Sequence, residues 1–302
     1  NLAKKISDGH TVFLPNLDKR NFTKFKILTS NRQIDNLIVG SSRISFIGDK
    51  ILNSNSLNLS VGTATIEDQI ALTLIGDEKL NFKRIYLSAD PWLFNEKQFR
   101  PYSDRWKSLS SEYYRSIQKI KKNDTNIKIF DEKEFLRFKT NFGNIVEKIY
   151  KILNLRQSKL IAEKKGDSDY ITFADGTEKF DTKSIEVTGK PIKHFMSPYI
   201  YSKEKEELFV KLIDYLIINK KEVTLVMVPF YEESYDSTLA QSNLIFKIEE
   251  LFIKLAKNKD LNIIGSYNPK ILNCSKNEFY DDIHPTESCH MKIFKQRKNN
   301  EN

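Results

Sequence analysis

The hydrophobic pattern of the chain alternates between short β-branched runs and longer amphipathic stretches. The short runs predict core strands at 36–40, 57–61, 84–87, 223–228 and 261–264. Apolar residues at helical spacing predict helices at about 44–52, from Thr65 onward, over most of 105–154, at 204–218 and at 244–255. Because strands alternate with helices, the pattern predicts an α/β fold with a doubly wound, mostly parallel sheet flanked by helices in three layers.

Residues at about 160–200 break this pattern and predict an insertion. Asp175-Gly176 follows an apolar run at 170–173, which predicts a hairpin or a tight turn. The insertion is either a substrate-binding flap or a solvated loop whose aromatic residues pack on the domain. The flap would carry Tyr170, Phe173, His194, Tyr199 and Tyr201. Without a repeat or a linker, residues 1–302 are expected to form a single domain.

The first candidate for chemistry is Gly40-Ser41-Ser42-Arg43, directly after the first core strand. Open α/β sheets place their chemistry at the carboxyl ends of parallel strands, where Ser42 would lie. The alternative is that Ser41 or Ser42 only caps the next helix, a position that serine favours.

The second candidate is Asp281-Asp282-Ile283-His284-Pro285 near the C-terminus. If this segment bends, Asp281 can orient the imidazole of His284, and a neutral histidine can take a proton from a serine hydroxyl. The chain has four histidines in all, so few bases are on offer. The alternative is a surface histidine in a turn.

Together the two segments resemble the SGNH hydrolase superfamily, also called GDSL-like. Two further stretches agree with the order of its sequence blocks: 57–64, which contains Gly62, and 85–95, which contains Asp90-Pro91-Trp92. The blocks are most similar to a branch associated with bacterial surface-polysaccharide and cell-envelope modification. The resemblance implies the flavodoxin-like, three-layer fold of that superfamily.

The resemblance also implies acyl-ester chemistry. Ser42 would be the nucleophile, His284 the general base and Asp281 the residue that orients it. The backbone N–H groups of Ser42 and Gly62 would form the oxyanion hole. We therefore expect an O-acetyl esterase or O-acyltransferase that acts on a bacterial surface polysaccharide. The alternative is a catalytically weakened protein of the same fold that binds glycans or assists envelope assembly.

One position departs from the superfamily pattern. A third oxyanion donor is expected from an asparagine in the third block, but this chain has Asp90 there. A carboxylate would oppose the developing negative charge, unless it turns away, orients Arg43 or a substrate hydroxyl, or is protonated. Asn95 or Asn58 could replace the missing donor. The departure makes an acyltransferase or a degenerate site more credible.

Four residues near the blocks are candidates for substrate binding: Arg43, Asp90, Trp92 and Asn95. Arg43 could pair with an acidic sugar or with a site carboxylate, or form a surface salt bridge of little energetic value. Trp92 could stack on a sugar ring, although tryptophan more often lies in the core because it buries a large area.

The formal net charge of +9 permits an acidic partner such as an anionic polysaccharide, membrane headgroups or nucleic acid. The lysines are scattered and no nucleic-acid-binding motif is present, so nucleic acid is the least favoured partner. The expected partner is a surface polysaccharide or another acylated glycan, together with a possible membrane-bound protein. Without a phosphate loop or a His/Cys cluster, the sequence gives no reason to expect a cofactor or a metal.

No apolar run approaches the ~20 residues of a membrane span. The chain starts at Asn1 rather than Met, so an upstream segment could have been removed. The resemblance implies an extracytoplasmic envelope protein whose N-terminal anchor or signal is missing, with a cytoplasmic location as the alternative. Cys274 and Cys289 either form one bridge or remain free thiols.

Overall fold

A five-stranded sheet forms the centre of the molecule. The computed structural model describes residues 12–13, 19–97, 109–122, 170–180, 187–192 and 199–300. The strands are β2 (Asn36–Val39), β3 (Ser56–Asn58), β4 (Arg84–Ser88), β7 (Glu222–Met227) and β8 (Asn262–Gly265). They lie in the order β3-β2-β4-β7-β8, and every pairing is parallel. The predicted α/β fold with a mostly parallel sheet is therefore confirmed.

Helices cover both faces of this sheet. They are α1 (Lys19–Thr29), α2 (Asp49–Leu52), α3 (Ile66–Lys79), α4 (Ser110–Lys122), α5 (Lys203–Ile218), α6 (Glu232–Gln241), α7 (Leu244–Asn258) and α8 (Glu287–Asn300). Side chains alternate across each strand, so Leu37 and Val39 join the larger core with α3, α5 and α7, whereas Ile38 joins the smaller core with α8. The near-continuous apolar strands follow from burial on both faces.

The strand order places a switch point between β2 and β4. The chain runs from β2 to β3 on one side, then crosses back and continues through β4, β7 and β8 on the other. In doubly wound sheets of this order, ligands bind outside the carboxyl ends of the two strands at the switch point. Ser42 follows β2 and Asp90 follows β4, so the two lie at that edge.

A small antiparallel sheet contains β1 (Val12–Phe13), β5 (Tyr170–Thr172) and β6 (Glu178–Phe180). The predicted turn at Asp175-Gly176 is confirmed: β5 and β6 pair as a hairpin around it. Gly176 has a φ of +82°, and a Cβ there would lie 2.3 Å from the Asn58 carbonyl oxygen. The hairpin is attached to the core domain because Asn58 donates its N–H to Asp175 O (2.7 Å) and Glu178 donates its N–H to Ser45 O (2.9 Å).

The helix predicted at about 44–52 is wrong. The chain forms a 3-10 turn at Ser42–Ile44 and then only the one-turn helix α2. The Asn58 side-chain amide donates to the carbonyl oxygens of Ile44 and Ile47, each at 2.8 Å. The backbone N–H of Glu178 donates to the carbonyl oxygen of Ser45. These carbonyls are the acceptors that a continuous helix would have used.

Other predicted elements are present with shifted bounds. The helix predicted from Thr65 onward is α3, and Thr65 and Asp68 form a capping box at its beginning. Of the helical region predicted at 105–154, α4 lies within the described residues and the remainder lies outside them, as does His194. Within the described ranges, no helix has the length and apolar character needed to cross a bilayer.

Cys274 and Cys289 form a disulfide, with 15 residues of sequence separation. The bridge joins the loop after β8 to the first turn of α8. The segment between the two cysteines contains Asp281, Asp282 and His284. The alternative of two free thiols is thereby excluded, and the histidine-bearing loop is closed at both ends.

Candidate functional site

The structure brings Ser42, His284 and Asp281 together at the carboxyl edge of the sheet. The Ser42 Oγ lies 2.9 Å from His284 Nε2. On the other side of the ring, His284 Nδ1 lies 2.7 Å from Asp281 Oδ2. The two ring nitrogens therefore face a hydroxyl and a carboxylate, which is the arrangement required for a base that activates a serine.

Asp281 holds the histidine through the backbone as well as through the ring. Its Oδ1 accepts the N–H groups of Ile283 (2.8 Å) and His284 (2.7 Å), which bends the segment so that both side chains converge. Burial opposes ionisation of Asp281, but the hydrogen bond and charge of His284, with the two backbone donors, outweigh it and lower the pKa of this carboxyl. Asp281 is therefore a carboxylate at neutral pH.

The two serines after β2 have different roles in the structure. Ser41 is buried, and its Oγ accepts the N–H of Arg43 (3.2 Å), so Ser41 caps the 3-10 turn. Ser42 is the first residue of that turn and is partly exposed. Gly40 is required because a Cβ there would lie 2.0 Å from the Ser88 Oγ at the end of β4. Capping and the contact with His284 are thus divided between neighbouring serines.

The two proposed oxyanion donors are the N–H groups of Ser42 and Gly62, and each residue directly follows one partner of a parallel β-bridge. Ser41 pairs with Val61, so the next residues on the two chains are Ser42 and Gly62. A Cβ added at Gly62 would meet no atom within 4 Å, which leaves open space beside this residue. Asn58 cannot serve as a third donor in this arrangement, since both hydrogens of its amide go to the Ile44 and Ile47 carbonyls.

Asp90 points into a buried polar network beneath the serine. Its Oδ2 accepts from Ser88 Oγ (2.7 Å), and its Oδ1 lies 3.4 Å from Arg43 Nη1. Burial raises the pKa of Asp90, and the Arg43 guanidinium offsets part of that rise. Of the alternatives open for Asp90, the structure shows the one in which this carboxyl pairs with Arg43.

Arg43 is almost completely buried, with 1% of its surface exposed. Its Nη2 donates to the carbonyls of Val228 and Pro229 (3.1 Å for the latter), and its Nε donates to Ile283 O at 3.2 Å. The guanidinium also lies 3.8 Å above the Phe230 ring. Arg43 therefore joins the loops after β2, β4 and β7 to the histidine loop, and the surface salt bridge considered from the sequence is wrong.

Trp92 and Asn95, two candidates for substrate contact, are internal. Trp92 is 1% exposed and donates Nε1–H to Ala64 O at 3.0 Å, so its ring lies in the core. Asn95 is 3% exposed, and its Oδ1 accepts the N–H groups of Lys97 and Ile200 (3.1 Å each). Both residues join the loop after β4 to neighbouring segments.

Asp282 has a separate structural role from its neighbour Asp281. Its Oδ1 accepts the N–H groups of Thr188 (2.9 Å) and Gly189 (3.0 Å) and the hydroxyl of Ser234 (2.9 Å). Of the two adjacent aspartates, only Asp281 contacts the imidazole. The second fixes segment 187–192 beside the histidine loop.

Two further residues, Gln69 and His290, contact the site from α3 and α8. Gln69 donates to the Ser88 carbonyl (2.9 Å) and hydroxyl (3.0 Å) from within α3. His290 is fully buried, and its Nε2 lies 2.7 Å from the Arg43 carbonyl oxygen, which links α8 to the 3-10 turn at Ser42–Ile44. Gln69 follows Glu67 and Asp68 in the first turn of α3, so the local sequence contains no signal that sets it apart. In the described ranges, no group of three or more His, Cys, Asp or Glu side chains could hold a metal ion.

No model of a known protein family matches the chain, and no curated protein is significantly similar to it in sequence. The fold and the site therefore define the class of protein only as far as a three-layer α/β protein with a Ser-His-Asp arrangement at its switch point.

Proposed function

We propose that this protein is a serine-dependent acyl-ester enzyme of the SGNH type. It acts as an O-acetyl esterase or O-acyltransferase on a bacterial surface polysaccharide. The observation that carries the proposal is the continuous chain of contacts from Ser42 Oγ to His284 and on to Asp281, at 2.9 Å and 2.7 Å. The polysaccharide as substrate follows from the sequence resemblance, since the fold alone is compatible with many reactions.

In the proposed reaction, Ser42 Oγ attacks the ester carbonyl while His284 Nε2 takes the hydroxyl proton. The tetrahedral intermediate then collapses, the C–O bond to the sugar breaks, and the imidazolium returns the proton to the leaving sugar hydroxyl. Water or a second sugar hydroxyl attacks the resulting acyl-enzyme and restores the free serine. Asp281 stabilises the imidazolium when it forms and fixes the tautomer of the neutral imidazole before and after.

The developing oxyanion is assigned to the backbone N–H groups of Ser42 and Gly62. Each such donor typically contributes about 10²–10³ in rate. The superfamily's third donor has no equivalent at Asp90, whose carboxyl contacts Ser88 and Arg43. We therefore expect slower turnover than in a three-donor site, whether the acceptor is water or a sugar hydroxyl.

The disulfide supports an extracytoplasmic location at the cell envelope. Disulfides persist in oxidising compartments and are rare in the cytosol. Cys274 and Cys289 close the loop that carries the proposed base, so their pairing bears on the site itself.

The decisive experiment is labelling with a fluorophosphonate probe, combined with hydrolysis of 4-nitrophenyl acetate. Native protein and Ser42→Ala are compared, with Ser41→Ala as the matched neighbour. We expect labelling and acetate release in the native protein, complete loss in Ser42→Ala, and retained labelling in Ser41→Ala. Absence of labelling in a folded native protein would refute an activated serine.

A second function is favoured by one observation: a buried carboxyl, Asp90, stands where the third oxyanion donor is expected. Under this alternative the protein keeps the fold and binds glycans, or assists their assembly, without turnover. The same experiment separates the two functions, because a binding protein would not react with the probe.

A further inference from the structure

A cleft of about 540 Å³ lies between the β5–β6 hairpin and the loops that carry the Ser-His-Asp arrangement. Three aromatic residues, Phe46, Phe173 and Tyr280, contribute to its lining. Its volume falls within the roughly 300–1,000 Å³ of typical small-molecule sites. We call this space the hairpin cleft. Ser42, His284 and Asp281 do not line it, whereas Phe173, a residue of the expected flap, does.

The hairpin cleft adjoins the candidate site through two short segments. Phe46 follows the 3-10 turn that begins at Ser42. Tyr280 immediately precedes Asp281, and its N–H donates to the His284 carbonyl at 2.9 Å. The Phe46 and Tyr280 rings stack with centroids 5.4 Å apart and planes at 10°. One wall of the cleft is therefore built on the backbone that positions the nucleophile and the base.

The opposite wall is fixed in place by polar contacts. Asp175 Oδ2 accepts the Asp49 N–H at 3.0 Å, and a Cβ at Gly48 would collide with the same oxygen at 2.2 Å. Arg32 donates to Asp49 at 2.7 Å. The hairpin thus has the contacts of a preformed wall, and binding there would cost little ordering entropy.

The charges of the lining favour an uncharged ligand. Three cationic and four carboxylate side chains line the cleft, which leaves one net negative charge despite the +9 of the whole chain. Phe173 at the hairpin remains 38% exposed. Aromatic faces suit the C–H faces of sugar rings, while carboxylates and ammonium groups suit sugar hydroxyls.

We propose that the hairpin cleft binds an uncharged saccharide unit of the glycan whose neighbouring unit presents its ester to Ser42. The inference rests on the proposed function and extends it: the substrate is a chain of at least two sugars that is neutral next to the esterified unit. Anionic glycans, which the net charge of the chain permits, should bind this cleft more weakly than uncharged ones.

The test measures saccharide binding without turnover. Ser42→Ala protein is titrated calorimetrically with two uncharged hexasaccharides, xylohexaose and hexa-N-acetylchitohexaose, and with anionic hexagalacturonate. We expect one of the uncharged hexasaccharides to bind and hexagalacturonate to bind at least fivefold more weakly. Adding Phe173→Ala should weaken that binding about tenfold, and Ala174→Trp, which fills the cleft, should abolish it.

Phe246→Ala, which removes an aromatic ring of similar exposure (49%) on α7, is the matched control and should leave binding unchanged. Melting temperatures establish that each variant is folded. Failure of both uncharged hexasaccharides to bind at millimolar concentration, or equal binding by the cleft variants, would overturn the inference. Fluorophosphonate labelling of the native protein is scored separately, so a failure of the serine chemistry is distinguishable from a failure of the cleft.

Discussion

At the scale of single residues, the adjacent aspartates Asp281 and Asp282 have different roles: the first contacts the imidazole, and the second holds the neighbouring segment 187–192. Only Asp281 contacts the imidazole, at 2.7 Å, and it also accepts two backbone N–H groups. Asp281→Asn should lower kcat on 4-nitrophenyl acetate by about 10²–10⁴, because the amide no longer supports the correct tautomer or the imidazolium. Steady-state kinetics of this variant beside Asp282→Asn, which should lose much less activity, measure the effect.

The same substitution has a pH signature. The pKa of Asp281 in the folded protein lies below its ordinary value. Its contribution to stability is therefore complete above the unfolded pKa of about 3.9 and is lost as the pH falls through the folded pKa. The gap in melting temperature between native protein and Asp281→Asn should be present at neutral pH and close in strong acid. A gap independent of pH would show that the carboxylate charge is not involved.

Arg43 is a positioning residue, since it touches the loops that hold the serine and the histidine. Arg43→Lys keeps the charge opposite Asp90 but cannot also reach Val228, Pro229 and Ile283. We expect kcat to fall about 10²-fold with little change in KM, because small misplacements of reacting groups are costly.

The matched control is Arg84→Lys. Arg84 lies at the N-terminal end of β4, away from the site, and forms an ion pair with Glu222. Equal loss of activity in both variants, or an effect of Arg43→Lys on KM alone, would contradict a positioning role. Thermal melts separate misplacement from unfolding.

At the scale of elements, the hairpin is attached to the core through a buried lysine. Lys26 of α1 donates to the Asn58 carbonyl beside the hairpin turn. Burial lowers the pKa of Lys26 to about 8, although Glu178 and Asp175 partly oppose the shift. Keeping this lysine protonated therefore costs stability at pH 7, and the cost disappears as the pH rises towards 10.5.

Native protein should consequently gain roughly 2–3 kcal/mol in free energy of unfolding relative to Lys26→Met between pH 7 and pH 10. Urea denaturation at the two pH values measures the change. Lys190→Met, at an exposed lysine, controls for the loss of a charge. A difference between native protein and Lys26→Met that stays constant with pH would exclude the shifted titration.

The elements also show what the sequence could and could not predict. The strands were recognisable because burial on both faces favours short, near-continuous apolar runs, as at the C-terminal half of β7. The helix predicted at 44–52 failed because its carbonyls are taken by Asn58 and Glu178, which are distant in sequence. Local propensity contains no information about such partners.

The site residues likewise divide into those held by local contacts and those held by contacts distant in sequence. The short motif at Asp281 and His284 was readable because the bend is made by contacts within four residues. The burial of Arg43 could not be predicted, because it depends on contacts with Phe230 and with Pro229 after β7. The internal position of Trp92 could not be predicted either, because it depends on the loop after β3. Long-range packing decides whether a charged or aromatic residue near a motif faces substrate or core.

At the scale of the whole molecule, the disulfide is the single covalent link that bears on the site. It closes the segment between Cys274 and Cys289, and both cysteines are buried. Replacing both by alanine should lower the free energy of unfolding by about 3 kcal/mol, the usual magnitude for a loop of this length. Activity should fall with it, because the loop carrying His284 becomes less constrained.

Denaturant melts and 4-nitrophenyl acetate turnover of the double variant measure both effects. Native protein reduced in mild denaturant and returned to buffer should resemble the variant, which itself should not respond to reductant. Full activity in the double variant would show that packing of α8 alone positions the histidine.

The distance along the chain between serine and base has a consequence for biosynthesis. Ser42 and His284 are 242 residues apart, and β8 and the disulfide segment follow the whole remainder of the sheet. Since chains emerge from the ribosome N-terminus first, the proposed nucleophile is made long before the proposed base. Under the proposed function, a nascent or truncated chain without His284 would carry an unactivated serine. We therefore expect reactivity only after the segment that carries His284 has been made and has folded against the sheet.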